Sequence, residues 1–242
     1  MLSLESLAIV LTLCAALSVL SYRFGLLTMS GALASFIVGM IIGLLGSVGW
    51  LLTLIVFTFL GFFVTKFRFQ MKEKKGLQEG KKGERTYRNV LANGLVPVLV
   101  AVITYLLGAQ DTTLAAIAYI SAVAVAAADT TASELGVLSE RTYLITTGQR
   151  VPPGTDGGIS WTGTLACIVA SAFASYIGWI VIVQELFDPL ILIPVAMGVA
   201  GCMIDSLIGA TLERRGLVGK LHVNMLSMAV SSLLACAIYV AL

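Results

Sequence analysis

Long apolar runs separated by short charged or glycine- and proline-rich stretches divide the chain into eight segments, near residues 3–21, 26–45, 48–65, 90–108, 113–133, 160–184, 189–211 and 223–242. Each is close to the roughly 20 apolar residues that a helix needs to cross ~30 Å of hydrocarbon. The breaks fall at helix-ending residues: Gly46 and Gly49 between the second and third runs, Pro152, Pro153 and Gly154 before the sixth, and Pro189 at the start of the seventh. Gly25, Gly31, Gly39 and Gly43, in or beside the second run, are small enough to let neighbouring helices approach closely. The expected fold is all-α, a polytopic integral membrane helical bundle of about eight transmembrane helices, with residues 1–242 as a single transmembrane domain. The first run, Leu4 to Leu20, has neither a basic stretch before it nor a distinct small-residue cleavage site, so it is expected to stay in the membrane.

Composition agrees: 58% of the residues are hydrophobic and 12% charged, against ~45–50% and ~25% in soluble domains. The placement of charge says more than the net value of +2. Alternating sides at each crossing puts all 15 Lys and Arg residues on one side, while Glu5, Asp111, Glu185 and Asp188 fall on the other. The positive-inside rule then makes the basic side cytoplasmic and both termini external, N-out and C-out, in a cell membrane. The polar connection 66–88 and the Pro/Gly connection 139–159 are both on that cytoplasmic side. The first carries nine basic and three acidic residues, a composition attractive to anionic headgroups or a nucleoside triphosphate. Its lysines Lys72, Lys74, Lys75, Lys81 and Lys82 read as a solvated face, whereas Arg85 and Arg88 lie at the membrane interface. Cys14, Cys167, Cys202 and Cys236 stand singly in apolar segments, which argues against zinc, iron–sulfur or disulfide chemistry. Trp50, Trp161 and Trp179 fit interfacial belts, and the lone His222, beside Asn224, fits interfacial polar packing. One histidine at a span end makes no Ser/His/Asp triad, and nothing resembles a nucleic-acid module.

Three stretches carry candidate chemistry. A carboxylate inside a span costs ~2.5–3.5 kcal/mol on insertion scales, so Asp129 and Glu134 in AADTTASELG and Asp205 in GCMIDSLIGATLE stand out. On a helix, Asp129 neighbours Ser133 and Thr130 neighbours Glu134, an oxygen-rich surface that suits Mg²⁺, or one that simply hydrogen-bonds adjacent helices. In TTGQRVPPGTDGGISWTGT, residues 146–164, Gly154, Gly157 and Gly158 can turn backbone N–H groups toward one point near a helix start, with Arg150 as an added anion contact. A proline-glycine turn into a helix is equally common without a ligand. In the seventh run Asp205 and Gly209 share a face, and Arg214, Arg215 and Lys220 follow its end. Together these features point to phosphate and metal handling at one membrane surface.

At GERTYRNVLANG, ADTTASELG, ITTGQRVPPGTDGGISWTGT and MIDSLIGATLE the chain resembles, in order from about residue 25 to its end, the transmembrane protein 19 family (domain of unknown function 92), which includes plant phytyl-phosphate kinase. The resemblance implies a Mg²⁺-dependent membrane kinase that moves a phosphoryl group from CTP or another nucleoside triphosphate to a prenyl monophosphate. By the same resemblance the acidic motif falls on Asp129, Thr130, Ser133 and Glu134, the glycine turn on Pro153, Gly154, Thr155, Gly157 and Gly158, the late acid on Asp205, and two amide positions on Asn93 and Asn224. Asn89, Asp156 and Glu213 depart from the family pattern. The mechanism expected from it has Asp129, Glu134 and Asp205 holding Mg²⁺ on the nucleotide phosphates, with Arg85, Arg88 and Arg150 neutralising the transferring group. The partners are a prenyl phosphate, a nucleotide and membrane lipids, with no nucleic acid and a homodimer left open. The competing readings are a CTP-dependent polyprenol kinase or lipid cytidylyltransferase, and a lipid-phosphate transporter with Asp129 and Asp205 as proton carriers.

Overall fold

The computed structural model describes residues 4–242. In chain order its helices are α1 (Leu4–Arg23), α2 (Met29–Ile41, continued by a π turn, Ile42–Gly46), α3 (Val48–Lys66), the six-residue α4 (Phe69–Lys74), α5 (Tyr87–Leu106), α6 (Thr113–Gly136), α7 (Trp161–Ile182), α8 (Leu192–Ile208, flanked by a 3₁₀ turn, Pro189–Ile191, and a π turn, Gly209–Glu213) and α9 (Lys220–Ala241). All but α4 are long and apolar enough to span a bilayer, so the described residues contain eight candidate spans. This is a polytopic integral membrane helical protein, in contact with membrane lipids.

Hydroxyl side chains start the spans. Thr28, Ser47, Thr112 and Ser160 accept hydrogen bonds from the backbone N–H groups of Gly31, Trp50, Ala115 and Gly163, and Thr86 with Asn89 forms a capping box at α5. Each cap satisfies a donor that helix geometry leaves without an internal partner. Asn89, one of the departures from the family pattern, therefore has a structural task.

Helix α6 is the axis of the bundle. It packs against α3, α5, α7, α8 and α9, and seventeen of its 24 residues are buried. An alanine-rich surface makes this enclosure achievable, helped by glycines on the surrounding helices. A Cβ on Gly201 would come within 2.3 Å of Val125, and one on Gly178 within 3.1 Å of Ile120. Small residues let helices meet closely in lipid, where no hydrophobic driving force separates helix from solvent. At the opposite extreme, α1 buries only Val10, Cys14 and Ser18. Two of these fit against α2, because a Cβ on Gly39 would meet the Cys14 sulfur at 2.8 Å and one on Gly43 would meet Val10 at 2.7 Å.

Several expectations need correcting. Trp50 and Trp179 are core residues, 1% and 0% exposed, and the Trp50 carbonyl accepts the Tyr119 hydroxyl at 2.7 Å; only Trp161, 87% exposed, is placed as an interfacial residue would be. The 139–159 connection holds a three-stranded antiparallel sheet, β1 (Thr142–Leu144), β2 (Arg150–Val151) and β3 (Gly158–Ile159), in the order β2-β1-β3 with Tyr143 opposite both Arg150 and Ile159. The 66–88 connection is not a free loop either. It contains α4, and its end is stitched to the α1–α2 turn by reciprocal backbone bonds between Arg85 and Leu26 and between Thr28 and Arg85. Finally, the last span begins at Lys220 rather than near 223, which carries a lysine into the bundle end.

Candidate active site

Because successive spans alternate in direction, the last turns of α3, α6 and α8 and the first turns of α5, α7 and α9 meet at one end of the bundle. Asp129, Thr130, Ser133 and Glu134 occupy the final turns of the central helix, so every one of these neighbours can reach them.

Glu134 is buried and fully engaged. Its Oε1 accepts from the Thr65 hydroxyl at 2.8 Å and its Oε2 from Lys72 Nζ at 2.6 Å. Lys72, completely buried, also donates to the Val64 and Thr65 carbonyls at the end of α3, at 2.7 and 3.2 Å. Arg85 donates to the Thr65 hydroxyl at 2.9 Å and lies 3.9 Å from Glu134. Its guanidinium fits over Gly61, where a Cβ would stand 3.3 Å from Nη1. Burial pulls the Arg85 guanidinium below its ordinary range, while Glu134, Glu79 and Asp129 oppose the shift. Two expectations fall here. Lys72 is not part of a solvated face, and Glu134, held by Lys72 and Thr65, is not a free metal ligand beside Asp129 and Asp205. Among the described residues no three His, Cys, Asp or Glu side chains converge as a metal cluster.

Two cavities open beside this network. The first, about 340 Å³, is lined by Asp129, Ser133, Glu134, Asp205, Glu213 and the turn from Gly154 to Ser160. Asp129 and Asp205 face each other across it, close enough to interact directly, and Ser227 donates to Asp205 at 3.2 Å. The glycine turn is held in place by close packing. Gly157, with φ of +73°, passes so near the π turn of α8 that a Cβ would lie 2.4 Å from that of Ala210, and Gly158 is similarly confined by Thr142 and Thr155. Ser160 and Gly163, at the start of α7, also line this space, so the positive end of a helix dipole borders it.

The second cavity, about 540 Å³, is lined by Arg85, Arg88, Asn93, Thr130, His222 and Asn224, among others. Asn224 donates to Asn93 at 3.2 Å. Both cavities touch Glu79, Asp129, Ser133, Glu134 and Lys220. Those five residues form a shared wall, roofed by Glu79, which accepts from Asn89 at 3.1 Å and lies 4.0 Å from Lys220. One side is acidic and glycine-lined; the other is basic.

The sequence-derived set thus gathers with one exception. Arg150 lies exposed on β2, its guanidinium donating to the Glu140 carbonyl at 3.1 Å, and lines neither cavity. Arg88 reaches the basic cavity but is exposed and lies against Tyr87. The residues missed were Lys72, Glu79 and Lys220. The one usable signal for Lys72 was that a carboxylate at Glu134, inside a span, demands a cation; nothing in a run of five lysines tells which.

The family described as "Integral membrane protein DUF92" matches residues 12–232. An uncharacterized membrane protein of Methanocaldococcus jannaschii is 36% identical over 212 residues, 86% of this chain and 84% of its own length. An uncharacterized membrane protein of Synechocystis is 35% identical over 193 residues, 78% of this chain and 73% of its own. Protein VTE6, chloroplastic, of Arabidopsis thaliana is 30% identical over 216 residues, 86% of this chain and 64% of its own. No solved structure matches. The chain belongs to the DUF92 integral membrane family, the one its four motifs resemble.

Proposed function

We propose that this DUF92 family member is a membrane-embedded kinase that transfers the terminal phosphoryl group of a nucleoside triphosphate, CTP by preference, to a prenyl monophosphate. The observation that carries the reading is the wall of Asp129, Ser133, Glu134, Lys220 and Glu79 shared by an acidic, glycine-lined cavity and a basic one. Two phosphorylated substrates can then meet at one place. A phosphate oxygen of the acceptor forms a bond to the γ-phosphorus while the bond from that phosphorus to the β-bridging oxygen breaks, leaving prenyl diphosphate and the nucleoside diphosphate. The acceptor oxygen is already anionic, so positioning and charge stabilisation supply the catalysis and no strong base is required.

Asp129 and Asp205 face each other with no counter-cation salt-bridged to them among the described residues. Two carboxylates with the Ser133 and Ser206 hydroxyls nearby on the same cavity are a hard-oxygen set suited to Mg²⁺. When bound there the ion would offset the negative charge of the triphosphate. Lys220, on the shared wall, stabilises charge on the phosphoryl group in transit, and Arg85 holds the acceptor phosphate. Thr155 and the backbone of Gly154, Gly157 and Gly158 border the nucleotide phosphates, and Thr130, Asn93 and Asn224 shape the acceptor side. Glu134 acts through Lys72, Thr65 and Arg85 as a positioning residue. The placement of all basic residues at this end supports a cytoplasmic active face.

The test is nucleotide consumption by the detergent-purified protein across prenyl alcohols and prenyl monophosphates. Release of CDP that depends on Mg²⁺ and on a monophosphate acceptor is expected. Consumption with the alcohol instead would make it a polyprenol kinase; release of pyrophosphate with retention of CMP on the lipid would make it a cytidylyltransferase; no nucleotide turnover would refute the kinase.

A further inference from the structure

A third space lies beneath the basic cavity. It is a narrow apolar crevice, about 50 Å³, between α2, α3 and α5, with Val38, Leu54, Phe57, Phe62 and Val90 in its walls. Arg85, Asn89 and Asn93 line both it and the basic cavity above, so the two are continuous at those side chains. Gly94 keeps the α2–α5 seam thin, since a Cβ there would press Val38 at 3.0 Å. Ser35, Leu54, Thr58 and Val90, which line it, are only half-buried, so the crevice opens on the outer side of the bundle. From Phe62 to Leu54 the helical rise gives a track of about 12 Å.

The junction holds a second pointer. Arg85 is half-buried, but its Nε–H is shut off from solvent and has no hydrogen-bond partner, and neither has Asn224 Oδ1 in the cavity above. Buried polar atoms are paired in nearly all native structures, so an orphaned charged donor at the mouth of an apolar track marks a place for an acceptor. The floor of the acidic cavity is Asp129, Asp205 and the glycine turn, and a triphosphate would enter it as a cation complex.

Resting on the kinase reading, we infer that the acceptor lipid occupies the basic cavity, with its monophosphate on Arg85 Nε and its prenyl chain along the crevice between α2, α3 and α5, while the nucleotide takes the glycine-lined cavity. An anionic head matches Arg85, Arg88, Lys220 and His222, and a single methyl-branched chain matches a track too narrow for two acyl chains. One flank of the prenyl chain meets Val38, Phe57 and Phe62; the other meets the bilayer. The lipid then enters sideways from the membrane and the nucleotide from water.

The experiment is photolabelling of the full chain in detergent by a fifteen-carbon prenyl monophosphate with a diazirine at its distal end, followed by peptide mapping. Labelling of the crevice segments of α2, α3 or α5, removed by excess unlabelled prenyl phosphate, is expected. Labelling confined to α7 or α8, the absence of competable labelling, or equal competition by a diacyl phosphatidic acid would each overturn the assignment. No nucleotide is present, so the two readings separate. A protein labelled in the crevice that leaves CTP intact keeps this site and loses the kinase, and one that consumes CTP but is labelled elsewhere does the reverse. As a second readout, Ser35→Phe, which fills the crevice, should raise KM for a twenty-carbon acceptor about tenfold or more relative to a five-carbon acceptor, with KM for CTP within about twofold. An equal change for both acceptors would refute the placement of the tail.

Discussion

Replacing Lys72 by methionine should be among the most destabilising single changes available in this protein, although it alters one of nine basic residues in a segment that reads as polar loop. The ammonium is fully buried and its 2.6 Å bond to Glu134 and two further bonds to the end of α3 are all lost. The Thr65 hydroxyl would remain, with Arg85 at 3.9 Å, but the carboxylate would keep most of its charge in a desolvated place. Removing one partner of a buried pair costs roughly 3–5 kcal/mol. At about 2–4 °C per kcal/mol for a chain of this size, the melting temperature should fall by about 6–20 °C. Intrinsic fluorescence of the buried Trp50 and Trp179 during heating in detergent would measure it. The companion variant, Lys72→Met with Glu134→Gln, removes both charges and should recover at least half of the loss, because the uncompensated ion is gone. A drop below about 2 °C for the single variant, or a double variant as unstable as the sum of the two single ones, would refute the buried-pair argument.

Other consequences are more local. Asp129→Asn and Asp205→Asn should each lower CTP turnover roughly 100- to 1,000-fold while leaving the melting temperature unchanged or higher, since each removes one of two facing charges; activity within about threefold of the parent would exclude them from catalysis. Arg150→Ala should leave both KM values within about twofold, as its guanidinium donates to the exposed Glu140 carbonyl and lines neither cavity; a large rise in KM for CTP would restore it to the site. Gly157→Ala should destabilise by about 1–3 kcal/mol, read as a lower melting temperature, because the backbone is left-handed there and the new methyl would meet Ala210; an unchanged melting temperature would show that the turn is not docked on α8. Lys220→Met should depress turnover with little change in either KM, and a rise in KM alone would assign it to ground-state binding.

The eight spans were legible because crossing a bilayer imposes a length and a composition that any window reveals. The site was legible in part for a related reason: Asp129 and Asp205 are too costly inside a span to pass unnoticed, and both do line the acidic cavity. What escaped depends on contacts distant along the chain. Glu134 shares a helix with Asp129 and has the same chemistry, yet five residues rotate it away from Asp205 toward α3, where Lys72 neutralises it. Lys220 looked like loop charge until the last helix proved to begin there, and Arg150 looked like a phosphate ligand until β1 and β2 paired and turned it outward. Likewise Trp50 and Trp179 share their residue type with the exposed Trp161 but pack inside the bundle. A residue's type signals its cost of burial; only the tertiary packing decides who offsets it.

The central position of α6 bears on how the chain enters the membrane. It is the least hydrophobic of the eight spans and the most enclosed, and it brings Asp129 and Glu134 with it. During synthesis Lys72 and Arg85 emerge before Glu134, so the counter-ions for that carboxylate are in place when α6 leaves the translocation machinery. Asp205 follows only with α8. The order of the chain therefore schedules insertion: the structural acid has its counter-ions first, and the two carboxylates of the reaction centre are brought together only when α8 arrives to complete the enclosure of α6.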